Sequence, residues 1–418
     1  MSALKRWDIF CKIVDNFGDI GVCWRLCRQL QREHGLQVRL WIDDLEVAQK
    51  IIPNLNIAEN TQICEEIAIL HWCETADFSQ AAEVVIEAFA CELPPAYLAA
   101  MAHQQSKWVN LEYLSAENWV DDFHAKPSPQ SFLNSANGLT RYFYFPGFTD
   151  ATGGLIRERD IAAQLQNHTN PRPQAGEGAR TRGRGVAHLH LEVAPLSNLS
   201  PANGREAFTT EELETSTSVR PEPVEGRQVL KVSLFCYSDA PIHALLDAFV
   251  ESTHIINCYV PASSVLPQIA DFFNAETIDV GDYFKRKNLH VHILPFLSQA
   301  DYDALLRDCN LNFVRGEDSW VRAIWAGKPF IWQPYFQDEN AHVKKLNAFL
   351  DLFYANFNAK DMVCEAHRYW SAGQMPKQVW NTYLKHFPAI SSHTLQQSEQ
   401  LAKQPDLASK LVDFCNTL

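Results

Sequence analysis

Strand-like apolar runs alternate with amphipathic helical stretches along most of this chain, and they do so in two blocks. The first block reads WDIFCKIV, a turn, the helical VCWRLCRQLQREH, then QVRLWID, EVVIEAF, a helix from Pro95 to Gln105, and KWVNLEY. The second resumes at Val229 with VLKVSLFCY, the helical ALLDAFVE, the strand INCYV, a helix near Pro267 to Phe273, VHILPF, and an apolar run ending at Val314. Strands that are apolar throughout, rather than at every second residue, suit a parallel sheet covered on both faces. Parallel neighbours need a crossover, and the intervening helices supply it. The 418 residues exceed what one core usually holds. An α/β chain of two doubly wound, Rossmann-like domains is therefore expected, one at residues 1–160 and one at 229–390. Polar helices at 391–418 close the chain and are placed to pack back on the first domain.

Between the blocks, residues 167–226 change character. NPRPQAGEGARTRGRG, SNLSPANG and TSTSVRPEPVEG are rich in Pro, Gly, Ser, Thr and charge, and Phe208 is the single Phe, Tyr or Trp. Such a segment has too little apolar surface to offset its ordering entropy, so it reads as a disordered polar insertion. Its arginines between Arg172 and Arg184 read as solvated.

With 50 acidic against 36 basic residues the net charge is −14, which disfavours a direct nucleic-acid binder that relies on phosphate neutralisation. A basic partner or a cationic acceptor group fits better. No apolar run reaches the ~20 residues that span a bilayer, and MSALKRWDIF is not a secretory leader, so a cytoplasmic protein without membrane contact is expected. The eleven cysteines lack CxxC pairing and fall mostly in apolar runs, as reduced, buried thiols do. Cys23 and Cys27 find no histidine beside them, and His188, His190, His290 and His292 alternate as strand residues do. No metal site is expected.

Two turns carry polar residues where ligands gather. The segment NFVRGEDSWVRAIWAGKPFIWQPYFQ, Asn312 to Gln337, runs from a buried strand through Arg315-Gly316-Glu317-Asp318-Ser319 into a helix from Trp320 to Ala326, stopped by Gly327 and Pro329. A helix beginning there directs unpaired N–H groups and its positive end at the turn, beside Arg315, which suits a phosphate. The same residues also suit an N-cap by Asp318 or Ser319 with Arg315 and Glu317 as a solvated ion pair. The second turn, Asp15-Asn16-Phe17-Gly18-Asp19-Ile20-Gly21, follows the first strand and leads into the helix of Val22 to Leu30. It lacks the GxGxxG dinucleotide pattern and instead offers two carboxylates four residues apart, suited to proton transfer or, more simply, to an Asx-turn and a cap. Phe235 and Tyr237 end one strand of the second block, and Phe296 with Gln299 follow another. Aromatics there can stack on a base, or can serve the core. Phe235, Phe296 and the Arg315-Glu317-Asp318-Ser319 turn each follow a parallel strand and should share one rim of the second sheet, as a nucleotide-sugar site facing the carboxylate pair of the first block requires.

DIFCKIVDNFGDIGVCWRL, NLEYLSAENW, FYFPGFTDATGGLIRE, LFCYSD and FVRGEDSWVRAIWAGKPFIWQPYFQ together resemble the EarP family of protein-arginine rhamnosyltransferases, which modify translation elongation factor P. The resemblance covers both blocks and leaves out the polar insertion. It implies a GT-B fold with a cleft between two facing domains, dTDP-β-L-rhamnose as co-substrate without a metal or other cofactor, and transfer with inversion to an arginine of that factor. Carried over by motif, Asp19 is the acceptor-activating carboxylate or general base, Asp15 its partner, and Glu317 a third residue essential for activity. Phe235, Phe296, Gln299, Arg315, Asp318 and Ser319, with Tyr237, match donor-binding positions. The chemistry is coherent, because a guanidinium is a poor nucleophile that carboxylates can bind, polarise and deprotonate. Two other readings stay open: a GT-B transferase acting on a lipid or glycan, and a non-catalytic binder of the elongation factor.

Overall fold

The computed structural model describes residues 6–15, 17–130, 138–161 and 228–418. The polar insertion, with His188 and His190, lies outside the described residues. The first sheet comprises β1 (Arg6–Cys11), β2 (Gln37–Ile42), β3 (Thr61–Cys64), β4 (Ile67–His71), β5 (Val84–Ala88), β6 (Lys107–Leu111), β7 (Lys126–Pro129) and β8 (Thr140–Tyr144), in the order β3-β4-β2-β1-β5-β6-β8-β7. The second comprises β9 (Val229–Leu234), β10 (Ile255–Pro261), β11 (Tyr283–Arg286), β12 (Leu289–Leu294), β13 (Leu311–Arg315) and β14 (Phe330–Gln333), in the order β11-β12-β10-β9-β13-β14. The apolar runs read from sequence are the parallel strands of each sheet. At the edges β3, β7 and β11 run antiparallel, so the sheets are mixed rather than wholly parallel. Glu65 and Glu66 turn the β3–β4 hairpin with φ of 47° and 67°. Neither is the Gly or Asn that normally announces such a turn, which is why the hairpin has no sequence signal.

Strand order reverses at β1, which lies between β2 and β5, and at β9, which lies between β10 and β13. Open α/β sheets bind ligands beyond the carboxyl ends of strands at such a reversal. The Asp15 turn leaves β1, while Phe235 and Arg315 leave or end β9 and β13.

Two helices begin earlier than their apolar periodicity suggests. The first spans Gly18–His34 instead of opening at Val22, and Asp19 therefore lies in its first turn. Its Oδ2 collects the N–H groups of Val14 at 2.8 Å and Asp15 at 2.9 Å, folding the turn back onto the helix. The helix after β13 spans Asp318–Ala326 and stops at Gly327 in the left-handed conformation, φ 65°. Its N-cap position is Glu317, with no side-chain capping bond. Neither Asp318 nor Ser319 is spent as a cap.

Apolar residues of both halves merge into one large core, and a smaller cluster around Phe10, Trp41, Tyr97 and Trp108 covers the other face of the first sheet. The eleven cysteines are all free, and ten of them are buried. The final helix, Leu407–Thr417, lies against the first half. Leu407 N–H donates to Leu155 O at 2.9 Å, Lys107 Nζ to Cys415 O at 2.7 Å, and Phe414 packs on Tyr142 and Tyr144. Among the described residues no helix is long and apolar enough to cross a membrane.

Candidate active site

The two reversal points face each other, and charged side chains join them. Arg25, on the helix after β1, is 2% exposed and forms a bidentate pair with Asp303 at 3.0 Å while its Nε donates to Asp318 at 2.6 Å. Arg322 grips Asp303 from the other side at 3.0 and 2.7 Å and also pairs with Glu158. Two buried arginines thus serve three acids, the buried Asp303 and the half-buried Asp318 and Glu158, and the cluster holds the first-half helix against Asp318–Ala326. Asp318, matched by motif to a donor-binding position, is oriented by this network.

Arg315 is buried, not a solvated partner of Glu317. Its guanidinium lies 4.7 Å from the Phe235 ring centroid and 4.4 Å from that of Tyr237, and its Nη1 is 3.6 Å from Asp15 Oδ1. Its Nε is buried without a hydrogen-bond partner. Ser319 fastens the same turn, since Arg315 N–H donates to its Oγ at 3.1 Å and the hydroxyl donates to the Arg315 carbonyl. Phe235 packs on Tyr302 at 5.4 Å, and Phe296 on Phe17 at 5.0 Å across the two halves. Gln299 donates to Gly21 O at 3.0 Å, leaving its Oε1 buried and unpartnered. Phe17, Phe235, Phe296, Gln299, Arg315 and Ser319 line a first cavity of about 60 Å³, much smaller than the several hundred Å³ of a typical ligand pocket. Phe17 and Phe296, in contact across the two halves, both line it.

A second cavity of about 280 Å³ lies on the other side of the same turns. Its carboxylates are Asp15, Asp19 and Glu317, and its walls include Phe89, Tyr113, Trp320, Trp332 and Tyr335. Asp15, Gly18 and Gly316 line both cavities, so the two meet at the Asp15 carboxylate. Gly316 has φ +60°, and a Cβ there would stand 3.0 Å from Asp15 Oδ2 and 3.1 Å from the Tyr237 hydroxyl. A side chain at this point would press on the wall between them.

Each acid has a distinct environment. Asp15 accepts from the Tyr237 hydroxyl at 2.8 Å. Burial raises its pKa, Tyr237 and Arg315 pull it down, and Asp19 pushes it up. Asp19 is 1% exposed; with Oδ2 taken by two backbone amides, its Oδ1, which accepts from the Tyr113 hydroxyl at 3.1 Å, is the oxygen with capacity left for a ligand. Glu317 reaches into the first half, where its Oε2 accepts from Leu114 N–H at 2.8 Å. Burial pushes its pKa up to about 7, against the pull of Lys345 and of that amide.

The residues singled out from sequence therefore gather at one place: Asp15, Asp19 and Glu317 around the second cavity, and Phe235, Phe296, Gln299, Arg315, Asp318 and Ser319 around the first. Tyr237 bridges them through its bond to Asp15. Sequence reading missed Phe17, Arg25, Tyr113 and Lys345. The first three lie inside segments already marked by their resemblance to a family, whereas Lys345, on the helix Ala341–Phe353, had no local signal at all.

A family model described as Elongation-Factor P (EF-P) rhamnosyltransferase EarP matches residues 7–416. The chain belongs to the EarP family. Its similarity to the protein-arginine rhamnosyltransferase of Pseudomonas putida is 39% identity, covering 98% of each chain. With that of Neisseria meningitidis serogroup B it shares 33% identity, covering 97% of this chain and 96% of the relative. A solved structure described as the structural basis for EarP-mediated arginine glycosylation of translation elongation factor EF-P is similar in fold, with TM-score 0.59, 28% identity and 99% of both chains covered. The two facing halves are those of a GT-B glycosyltransferase, and the enzyme class of the EarP family applies to this chain.

Proposed function

We propose that this enzyme transfers L-rhamnose from dTDP-β-L-rhamnose to an arginine guanidinium of translation elongation factor P in the cytoplasm, with inversion at the anomeric carbon. The observation that carries this reading is the pair of cavities that meet at Asp15: one lined by aromatics, Arg315 and a helix N-terminus, the other by three carboxylates between aromatic walls. The first suits a nucleoside diphosphate, with the base against Phe296 and Phe235, the Gln299 amide at a base edge, and the diphosphate at Arg315, Ser319 and the start of Asp318–Ala326. The second suits a planar cation, which stacks on aromatic faces and donates to carboxylates.

In this scheme the guanidinium enters between Asp15, Asp19 and Glu317. Carboxylate acceptors localise electron density on one nitrogen, whose lone pair attacks the anomeric carbon from the face opposite the diphosphate. The bond from that carbon to the diphosphate oxygen breaks, and dTDP departs with its charge met by Arg315. The proton lost from the attacking nitrogen goes to Asp19 through Oδ1, with Asp15 holding the guanidinium. One displacement gives inversion.

The test is incubation of the full chain with elongation factor P and dTDP-β-L-rhamnose, followed by peptide mass spectrometry and NMR of the new linkage. One deoxyhexose on a single arginine, in the α configuration, is expected. An unmodified factor would reject the acceptor, and a β linkage would reject the single displacement.

A further inference from the structure

We propose that Lys345 is a positioning residue for the acceptor: its ammonium, in the same cavity as Glu317, supports the carboxylate that the guanidinium meets there. The inference rests on the acceptor reading above and adds a residue to it.

Lys345 enters from the helix Ala341–Phe353 of the second half, and its Nζ lies 5.5 Å from the ring centroid of Tyr113, a first-half residue whose hydroxyl donates to Asp19 at 3.1 Å. Among the described residues lining the second cavity it is the one cation, set against Asp15, Asp19 and Glu317. The nearby arginines are committed elsewhere. Arg315 faces Asp15 from the first cavity, and Arg25 is held by Asp303 and Asp318. Lys345 does not line the first cavity, where Arg315 lies.

The need for such a cation follows from what surrounds Glu317. Burial, Asp19 and Asp318 all favour its neutral form, while Lys345 and the Leu114 amide favour the carboxylate. Near neutral pH the balance is close, and a protonated Glu317 gives up a strong acceptor site. In return Glu317 and Glu117 support the Lys345 charge, which burial opposes. The Tyr113 hydroxyl faces the same acids and is itself held protonated by burial and by Asp19 and Glu317. The arrangement leaves one ammonium in the cavity to hold the site ready until a guanidinium adds its own charge.

Carbon-13 NMR of the glutamate carboxyls in the full chain, with the Glu317 signal assigned by its loss in Glu317→Gln, reads the coupling directly. In Lys345→Met the Glu317 midpoint should rise by on the order of one pH unit, and in Lys345→Arg it should stay near the wild-type value. A midpoint unmoved in Lys345→Met overturns the proposal. In the transfer assay, the acid limb of kcat/KM for elongation factor P should move the same way in Lys345→Met and recover toward pH 8.5, with dTDP affinity held within about two-fold. A loss equal at every pH, or a weakened dTDP complex, would make Lys345 a packing or diphosphate residue and overturn its positioning role. The NMR arm needs neither sugar nor acceptor. If the midpoint moves while the wild-type enzyme leaves the factor unmodified, the acceptor reading falls and the coupling stands.

Discussion

Glu317→Gln should make the protein more stable at pH 8 while abolishing transfer. Glu317 has its pKa raised from the usual 4.5 to about 7 in the folded state, chiefly by burial. The folded state therefore binds its proton more tightly than the unfolded chain does. This contribution favours folding fully below pH 4.5 and is lost as pH rises through 7. At about 1.4 kcal/mol for each pH unit, ionising Glu317 costs the fold about 3 kcal/mol at pH 8. Glutamine keeps an oxygen for the Leu114 amide and never ionises. Against wild type it should be near neutral at pH 4.5 and stabilising by up to about 3 kcal/mol at pH 8. With roughly 2 cal/mol/K of unfolding entropy per residue, that is a rise of about 3–4 °C in Tm. Differential scanning calorimetry of both proteins at the two pH values reads the difference, and rhamnose transfer on the same samples reads function. Equal Tm differences at both pH values, or a lower Tm at pH 8, would refute the claim that a buried, ionised Glu317 is held at the expense of stability.

Asp19→Asn should stop transfer while dTDP affinity, read by calorimetric titration, stays within a few fold; near-normal turnover would remove Asp19 from the base role. Arg315→Ala should weaken dTDP binding by roughly 10- to 100-fold, the value of a hydrogen bond to a charged group, and an unchanged Kd would refute its diphosphate role. Gly316→Ala meets both a left-handed backbone and the Asp15 carboxylate 3.0 Å away, so a stability loss of about 1–2 kcal/mol with a larger fall in kcat than in donor affinity is expected from denaturation and steady-state kinetics. Excising residues 167–226 with a short Gly-Ser bridge should leave Tm and transfer close to wild type, and loss of both would show that the insertion supports the fold.

The alternation of apolar runs with helical stretches was sufficient to read two α/β halves, because burial of both faces of a parallel sheet leaves a continuous apolar signature. The antiparallel edges left none: β3 and β11 are short, and their hairpins turn through Glu65, Glu66 and Lys287 at positive φ without glycine. The site was legible in part. Asp15, Asp19, Arg315 and Glu317 sit at or just beyond the carboxyl ends of strands, where topology alone makes them neighbours of a crevice. Their individual duties were not legible. Asp318 and Ser319 looked like helix caps, and only the approach of Arg25 and the fold of the Arg315 turn employ them otherwise.

The sequence by itself determined that two doubly wound sheets would form and that each would carry a polar turn at its rim, since these follow from local periodicity and chain connectivity. Tertiary structure alone decided that the turns meet at Asp15, that Tyr113 orients Asp19, and that Lys345 shares a cavity with Glu317 from a helix 28 residues further along the chain. Burial and field depend on what the other half brings to the same few ångströms, and no stretch of sequence records that distance.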